Sequence, residues 1–322
     1  MRSGAGRMVT VRGPERPSQR GVEAGFPWPF EQSRARYPDS TGFIERDGIR
    51  VAWEAYGDRG LPIVFVPSWS IVTSRVWKAQ IAYFARRHRV ITFDARGNGR
   101  SDRPTSAAAY AEVEMALDLL AVMDATAIDR AILVSLSLGA HRSLLAADRA
   151  PERIAGLVFL GPSVPLGQPV PGRDIDFDAE LDTDEGWARY NRHSWLRDYE
   201  GFLQFFFERC FTESHSTKQI EDAVRWGLET NAETLILTDE APGIDKPTAL
   251  AATAAIHCPT LVIQGDEDAI SGPSRGFALA EAIPGAELAV IAGGGHVPNA
   301  RHPVMVNLLI ERFARTITGD MG

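Results

Sequence analysis

Cysteine is nearly absent from this 322-residue chain, with Cys210 and Cys258 the only two. That excludes a disulfide framework and a cysteine-built metal cluster. A reducing, cytoplasmic setting is the simplest fit. Long apolar runs are missing too, since no stretch approaches the roughly 18 consecutive apolar residues of a membrane span. Positive charge is in the minority, 34 basic residues against 42 acidic, for a net charge of −8. So acidic a chain is poorly suited to wrapping a phosphate backbone, and neither nucleic acid nor membrane is expected as a partner. Lysine is scarce, three residues (Lys78, Lys218, Lys246) among the 34 basic ones, a bias to which no function is attached. What is there is apolar enough to fold: 44% of residues are hydrophobic and 24% charged. The length allows one large α/β domain or two ordinary ones. A folded protein that handles a small-molecule substrate is the expectation.

Residues 1–40 form a separate zone, rich in Arg, Gly and Pro and without helical or alternating periodicity. They lack the apolar core of a secretory signal and read as a flexible N-terminal extension. Phe26, Trp28, Pro29 and Phe30 leave open the alternative that residues 24–32 dock on the domain.

From Gly42 onward strands and helices alternate. Phe43–Arg46 and Ile49–Ala55, joined at Asp47-Gly48, read as a hairpin. Short apolar runs at Ile63–Val66, Val90–Phe93, Ala131–Val134, Leu157–Leu160 and Leu261–Ile263 read as buried strands, with a last strand at Glu287–Ile291. Helical spacing covers Arg75–Arg87 and Ala107–Ala125. The pattern predicts an α/β fold whose mostly parallel, eight-stranded sheet is covered on both faces. Between residues 165 and 247 helices follow one another without a strand and aromatics are dense, which reads as a helical cap inserted after the sixth strand. The core is then residues 41–164 and 248–322.

Four segments can carry chemistry. In Leu133-Val134-Ser135-Leu136-Ser137-Leu138-Gly139-Ala140 a buried strand turns sharply into a helix, a geometry that can hold one side chain at the sheet's carboxyl edge. The helix N-terminus there offers unpaired N–H groups suited to a developing oxyanion. Asp94-Ala95-Arg96-Gly97-Asn98-Gly99-Arg100-Ser101 follows a strand and has glycines for a tight loop. It is no nucleotide signature, because no Gly-x-Gly-x-x-Gly or Gly-Lys-Ser/Thr pattern accompanies it. Gly265-Asp266-Glu267-Asp268 ends another strand with three rival acids, and Gly293-Gly294-Gly295-His296 places a histidine in a loop after the last.

Taken together these segments resemble the α/β-hydrolase family, from about Gly42 to the C-terminus. Ser135-x-Ser137-x-Gly139 is similar to the family's Gly-x-Ser-x-Gly, with serine for the first glycine, and Asp94–Ser101 looks like its Asp-x-Arg-Gly-x-Gly-x-Ser loop. The resemblance implies Ser137 as nucleophile, Asp268 as the acid that orients the base, and His296 as the base, in the family's chain order. It also implies an oxyanion hole from the Trp69 and Leu138 N–H groups. One departure stands out: Pro67-Ser68 replaces the family's His-Gly, and serine in place of glycine bears on how the Trp69 N–H is aimed.

The implied activity is a serine hydrolase cleaving an ester, thioester or lactone of a small, largely apolar substrate, without metal or cofactor. Ser68, Trp187, Trp195 and Phe206 are the candidate substrate contacts, and Arg192, Arg197, Arg209 and Arg225 are cap cations that could meet an anionic group. The alternatives are a non-hydrolytic triad enzyme (acyltransferase, lyase or cyclase, perhydrolase) and a small-molecule receptor on the same fold. The sequence does not set the oligomeric state, a homodimer being among the arrangements it allows.

Overall fold

The computed structural model describes residues 10–11 and 34–319. Its strands are β1 (Thr10–Val11), β2 (Ser40–Arg46), β3 (Ile49–Tyr56), β4 (Ile63–Val66), β5 (Val90–Phe93), β6 (Ala131–Leu136), β7 (Ile154–Leu160), β8 (Thr260–Gly265) and β9 (Glu287–Ile291). They form one sheet in the order β1-β2-β3-β5-β4-β6-β7-β8-β9. The pairs from β5 to β9 are parallel, whereas β1, β2 and β3 pair antiparallel. The eight strands from β2 onward are those the sequence predicts. Two-residue β1 adds a ninth, pairing Thr10 with Glu45 and Val11 with Ile44 inside the segment read as a flexible extension. The aromatic stretch 24–32 lies outside the described residues.

Strands buried on both faces show how the layers form. Along β4, Ile63 and Phe65 face one layer and Val64 and Val66 the other, and β6 and β7 alternate in the same way. One face is covered by α1 (Lys78–Phe84) and α11 (Pro303–Thr318) through Ile81, Phe84, Val306, Ile310 and Phe313. The other is covered by α2 (Glu112–Ala125), α3 (Gly139–Arg149), α8 (Lys246–Ala254) and α9 (Pro273–Ala282), through Leu119, Val122, Leu144, Ala249 and Leu279. Each of the larger of these side chains contributes about 2 kcal/mol by leaving water.

Two predicted helices break near their starts. Ser74–Trp77 and Ala107–Tyr110 are tight 3-10 turns, and Ala111, with ψ 140°, separates the second from α2. The broken helix is compensated outside itself, as the Glu112 N–H donates to the Pro242 carbonyl at 3.0 Å.

Between β7 and β8 run α4 (Arg192–Arg197), α5 (Tyr199–Cys210), α6 (Thr217–Gly227), α7 (Ala232–Asp239) and α8. Aromatics of these helices and of the segment leading into α4 pack together around Trp195, whose ring centroid lies 4.7 Å from Phe202, 4.9 Å from Phe177 and 5.2 Å from Tyr190. Short α10 (Pro298–Arg301) precedes α11. Among the described residues no helix is long and apolar enough to cross a membrane.

The Asp94–Ser101 loop is held as a scaffold. Asp94 accepts the Ser74 N–H at 3.0 Å and the Arg100 N–H at 3.1 Å, while Ser101 donates to the Asp94 carbonyl at 2.7 Å. Arg96 makes a two-point contact with Asp118, at 2.6 and 2.8 Å, and Arg46 meets the same carboxylate at 2.6 Å.

Candidate active site

In a parallel sheet the strand ends at the carboxyl edge are free to feed loops into one crevice. Here Trp69 follows β4, Ser137 follows β6, Asp268 follows β8 and His296 follows β9. Ser137, His296, Trp69 and Leu138 all line one cavity of about 310 Å³.

Ser137 sits in the left-handed region, φ +54°, in the turn between β6 and α3. For a non-glycine residue that conformation costs about 1–3 kcal/mol and persists only where the surroundings impose it. The surroundings are tight. A Cβ on Gly139 would lie 2.8 Å from the Pro67 carbonyl oxygen, so glycine is required where α3 crosses the β4 loop. Ser135, in place of the more common glycine, is accommodated fully buried, its hydroxyl donating to the Val158 carbonyl at 3.3 Å.

Of the three rival acids, only Asp268 is buried. Its Oδ2 lies 2.9 Å from His296 Nδ1, and its Oδ1 accepts the Ile270 and Ser271 N–H groups at 2.8 and 2.9 Å. Burial would raise its pKa, but His296 and those two N–H donors outweigh it and hold the carboxyl below the ordinary aspartate range. Asp266 is exposed and has a different task, accepting the Gly293 N–H at 2.7 Å. With the Glu267 N–H on the Gly294 carbonyl, at 3.0 Å, it clamps the glycine loop that carries His296. Gly161, φ +47°, completes the fit, since a Cβ there would meet the His296 carbonyl oxygen at 2.7 Å.

The loop after β4 is fixed from below. Arg142 Nη1 donates to the Pro67 carbonyl at 2.8 Å and the Ser68 carbonyl at 2.6 Å, while its Nε donates to Glu112 at 3.0 Å. With both carbonyls turned toward the guanidinium, the loop keeps its course without the His-Gly pair. Among the described residues neither the Trp69 nor the Leu138 N–H has a protein acceptor.

Ser68 and Phe206 line the cavity, but Trp187 and Trp195 do not. Trp195 is fully buried behind the site, 5.8 Å from Trp69 ring to ring, because so large a side chain serves as core for the inserted helices. Trp187 stacks under Arg173 and against Phe205. The four inserted-segment arginines also lie outside the lining: Arg192 pairs with Asp178 and Glu240, Arg197 with Asp184, Arg209 covers Phe205 and Arg225 is exposed. The polar lining instead includes His141, Arg173, Tyr190, Asp239 and Arg275. No local motif marks these residues; the i+4 spacing of His141 from Ser137 is the one signal that places it on the facing side of α3.

A crossed sheet edge bearing a strained serine beside a buried histidine–carboxylate pair defines an α/β enzyme with its chemistry at the strand ends. The chain belongs to the alpha/beta hydrolase fold family, whose model matches residues 62–303. It is 24% identical over 264 residues to 3-oxoadipate enol-lactonase 2 of Acinetobacter baylyi, covering 82% of this chain and 92% of that one. It is 28% identical to 2-hydroxymuconate semialdehyde hydrolase of a Pseudomonas species, covering 74% and 80%. Among solved structures, one described as an N-acyl homoserine lactone degrading enzyme matches with TM-score 0.70 and 29% identity, over 84% of this chain and 99% of that one. The protein is an enzyme of the α/β-hydrolase type.

Proposed function

We propose that the protein is a serine hydrolase that cleaves an ester, thioester or lactone of a small substrate through Ser137, His296 and Asp268. The observation that carries this reading is the strained φ of Ser137 in one cavity with a histidine whose far nitrogen is held by a buried carboxylate. Ser137 Oγ attacks the acyl carbonyl and passes its proton to His296 Nε2. Asp268 fixes the tautomer that leaves Nε2 free to accept, and stabilises the imidazolium once formed. The oxyanion sits between the Trp69 and Leu138 N–H groups, which among the described residues have no other acceptor. His296 then returns the proton to the leaving alkoxide or thiolate, and activates water to release the acid.

Relatives that include an enol-lactonase and an N-acyl homoserine lactone degrading enzyme favour an oxygen ester, cyclic or open. Ile71, Val72, Leu136 and Phe206 give the cavity an apolar wall for an acyl chain. The inserted helices act as a cap, contributing Phe206, Phe207 and Cys210 to the lining. Two free cysteines favour a reducing, cytoplasmic setting.

Labelling with a fluorophosphonate serine probe tests the reading. Wild type is expected to label, and Ser137→Ala and His296→Ala are not. A folded wild type that stays unlabelled, or a Ser137→Ala protein that still labels, overturns it.

A further inference from the structure

The cavity holds more polar groups than acyl transfer uses. Two carboxylates line it, and each has a partner: Glu112 has Arg142, and Asp239 accepts the Tyr190 hydroxyl at 2.6 Å. Arg173 is also occupied, donating to the Ile270 carbonyl at 2.5 Å and lying over the Trp187 and Tyr190 rings, 4.9 Å from each. Arg275 is different. It lines the cavity from the first turn of α9, is only partly exposed, and among the described residues its side chain makes no hydrogen bond or ion pair, its Nε being buried without an acceptor.

His141 lines the same cavity, one turn along α3 from Ser137. It is 8% exposed, and among the described residues its ring nitrogens have no side-chain hydrogen-bond partner, the backbone of Ser163 being the one polar group beside the ring. His141 feels the charges of Glu112, Arg142 and Arg275, and Arg275 those of Arg173 and Asp268, but no carboxylate pairs directly with Arg275 among the described residues. A partly buried guanidinium and a buried imidazole left without ion-pair partners in one cavity are costly unless a ligand satisfies them.

We propose that Arg275 and His141 form an anion subsite that binds a carboxylate carried on the substrate, at the far end of the acyl chain from the carbonyl Ser137 attacks. The inference rests on the ester-cleaving reading for the word substrate, but not for the binding itself. Arg275 presents two coplanar N–H donors to a planar carboxylate, and His141 supplies a third from either tautomer. The apolar side chains that line the same cavity, Ile71, Val72, Leu136 and Phe206, hold the methylenes. The substrate class is the half-ester or lactone of a short dicarboxylic acid, in place of a neutral fatty ester.

Binding of monomethyl glutarate to Ser137→Ala protein, followed by calorimetry with methyl butanoate as the neutral control, tests the subsite without turnover. Adding Arg275→Met is expected to weaken monomethyl glutarate by about tenfold to a hundredfold and to leave methyl butanoate unchanged. Arg275→Lys, which keeps the charge and loses the fork, falls between, and its folding matches the parent by near-ultraviolet circular dichroism. No binding of monomethyl glutarate, or binding indifferent to Arg275, overturns the proposal. Hydrolysis of both esters is then measured on enzyme with Ser137 intact. If Arg275-dependent binding stands and neither ester is cleaved, the subsite holds and the serine-hydrolase reading falls.

Discussion

Arg142 donates one hydrogen bond to the carbonyl of Ser68, at 2.6 Å, across a separation of 74 residues. With its companion bond to the Pro67 carbonyl, at 2.8 Å, it anchors the loop that presents the Trp69 N–H. A position that differs from the usual His-Gly is thus held by a side chain from α3, the same helix whose N-terminus supplies Leu138.

The loop therefore depends on the shape of Arg142 as well as its charge. Arg142→Lys keeps a cation beside Glu112 but cannot serve Glu112 and both carbonyls together. We expect kcat on an ester substrate to fall by about 10- to 100-fold with KM little changed, as a partly misaimed oxyanion donor would give. Steady-state kinetics beside a thermal melt would distinguish this from simple loss of fold. Unchanged kcat would mean that the loop holds itself.

Ser137 invites a test in which activity and stability move in opposite directions. Ser137→Gly removes the proposed nucleophile together with the strain of its φ of +54°. Strain release of about 1–3 kcal/mol exceeds the roughly 0.4–1 kcal/mol that glycine costs through the unfolded chain. A gain of about 1 kcal/mol, or about 2–4 °C in Tm, is expected with activity lost. Ser137→Ala, which keeps the strain, should melt near wild type, so equal melting temperatures for the two variants would contradict this account.

Asp268 links the site to pH. Its carboxyl titrates below the ordinary range in the folded state, so its ionised form contributes stability above the unfolded value, and that contribution is lost as the pH falls through the folded one. The Tm difference between wild type and Asp268→Asn should hold at neutral pH and close as the pH drops below about 3.9. At pH 7 the same substitution is expected to lower kcat by about 10⁴-fold, because the imidazole loses its tautomer. Calorimetric melts across the acid range and a single rate assay cover both halves.

Asp118 should matter for stability alone. It is buried between Arg46 and Arg96, away from the cavity. Asp118→Ala leaves two guanidinium groups without their shared carboxylate, a loss of about 3–5 kcal/mol. Chemical denaturation should show that loss, while kcat of the folded fraction stays within twofold of wild type, about the scatter expected for a distant site. A large kcat defect would mean that the Asp94–Ser101 loop is coupled to the catalytic edge.

The chain order Ser137, Asp268, His296, the turn that carries each, and the eight strands from β2 onward were legible in the sequence, because each is written in a short window. A four-residue apolar run announces a doubly covered strand, and Gly139 announces a close approach. Which acid of Asp266, Glu267 and Asp268 turns inward is not local: Asp268 is selected by the Ile270 and Ser271 N–H groups and by a histidine 28 residues away. The same holds for the aromatics. Composition cannot separate Phe206, which reaches the cavity, from Trp195, which fills the space behind it. β1 went unrecognised because a two-residue strand has no periodicity of its own and exists only through its pairing with β2.

The sequence by itself determined the fold, the hydrolase-type family and the order of the residues proposed for the chemistry, since strand, turn and helix signals are short-range. Only the tertiary structure decided that Arg142 braces the β4 loop, and that Arg192 and Arg197 are neutralised while Arg275 reaches the cavity unpaired. Whether a charge is spent on a neighbour or left for a ligand depends on which distant segments pack beside it, and no local window of the chain contains that information.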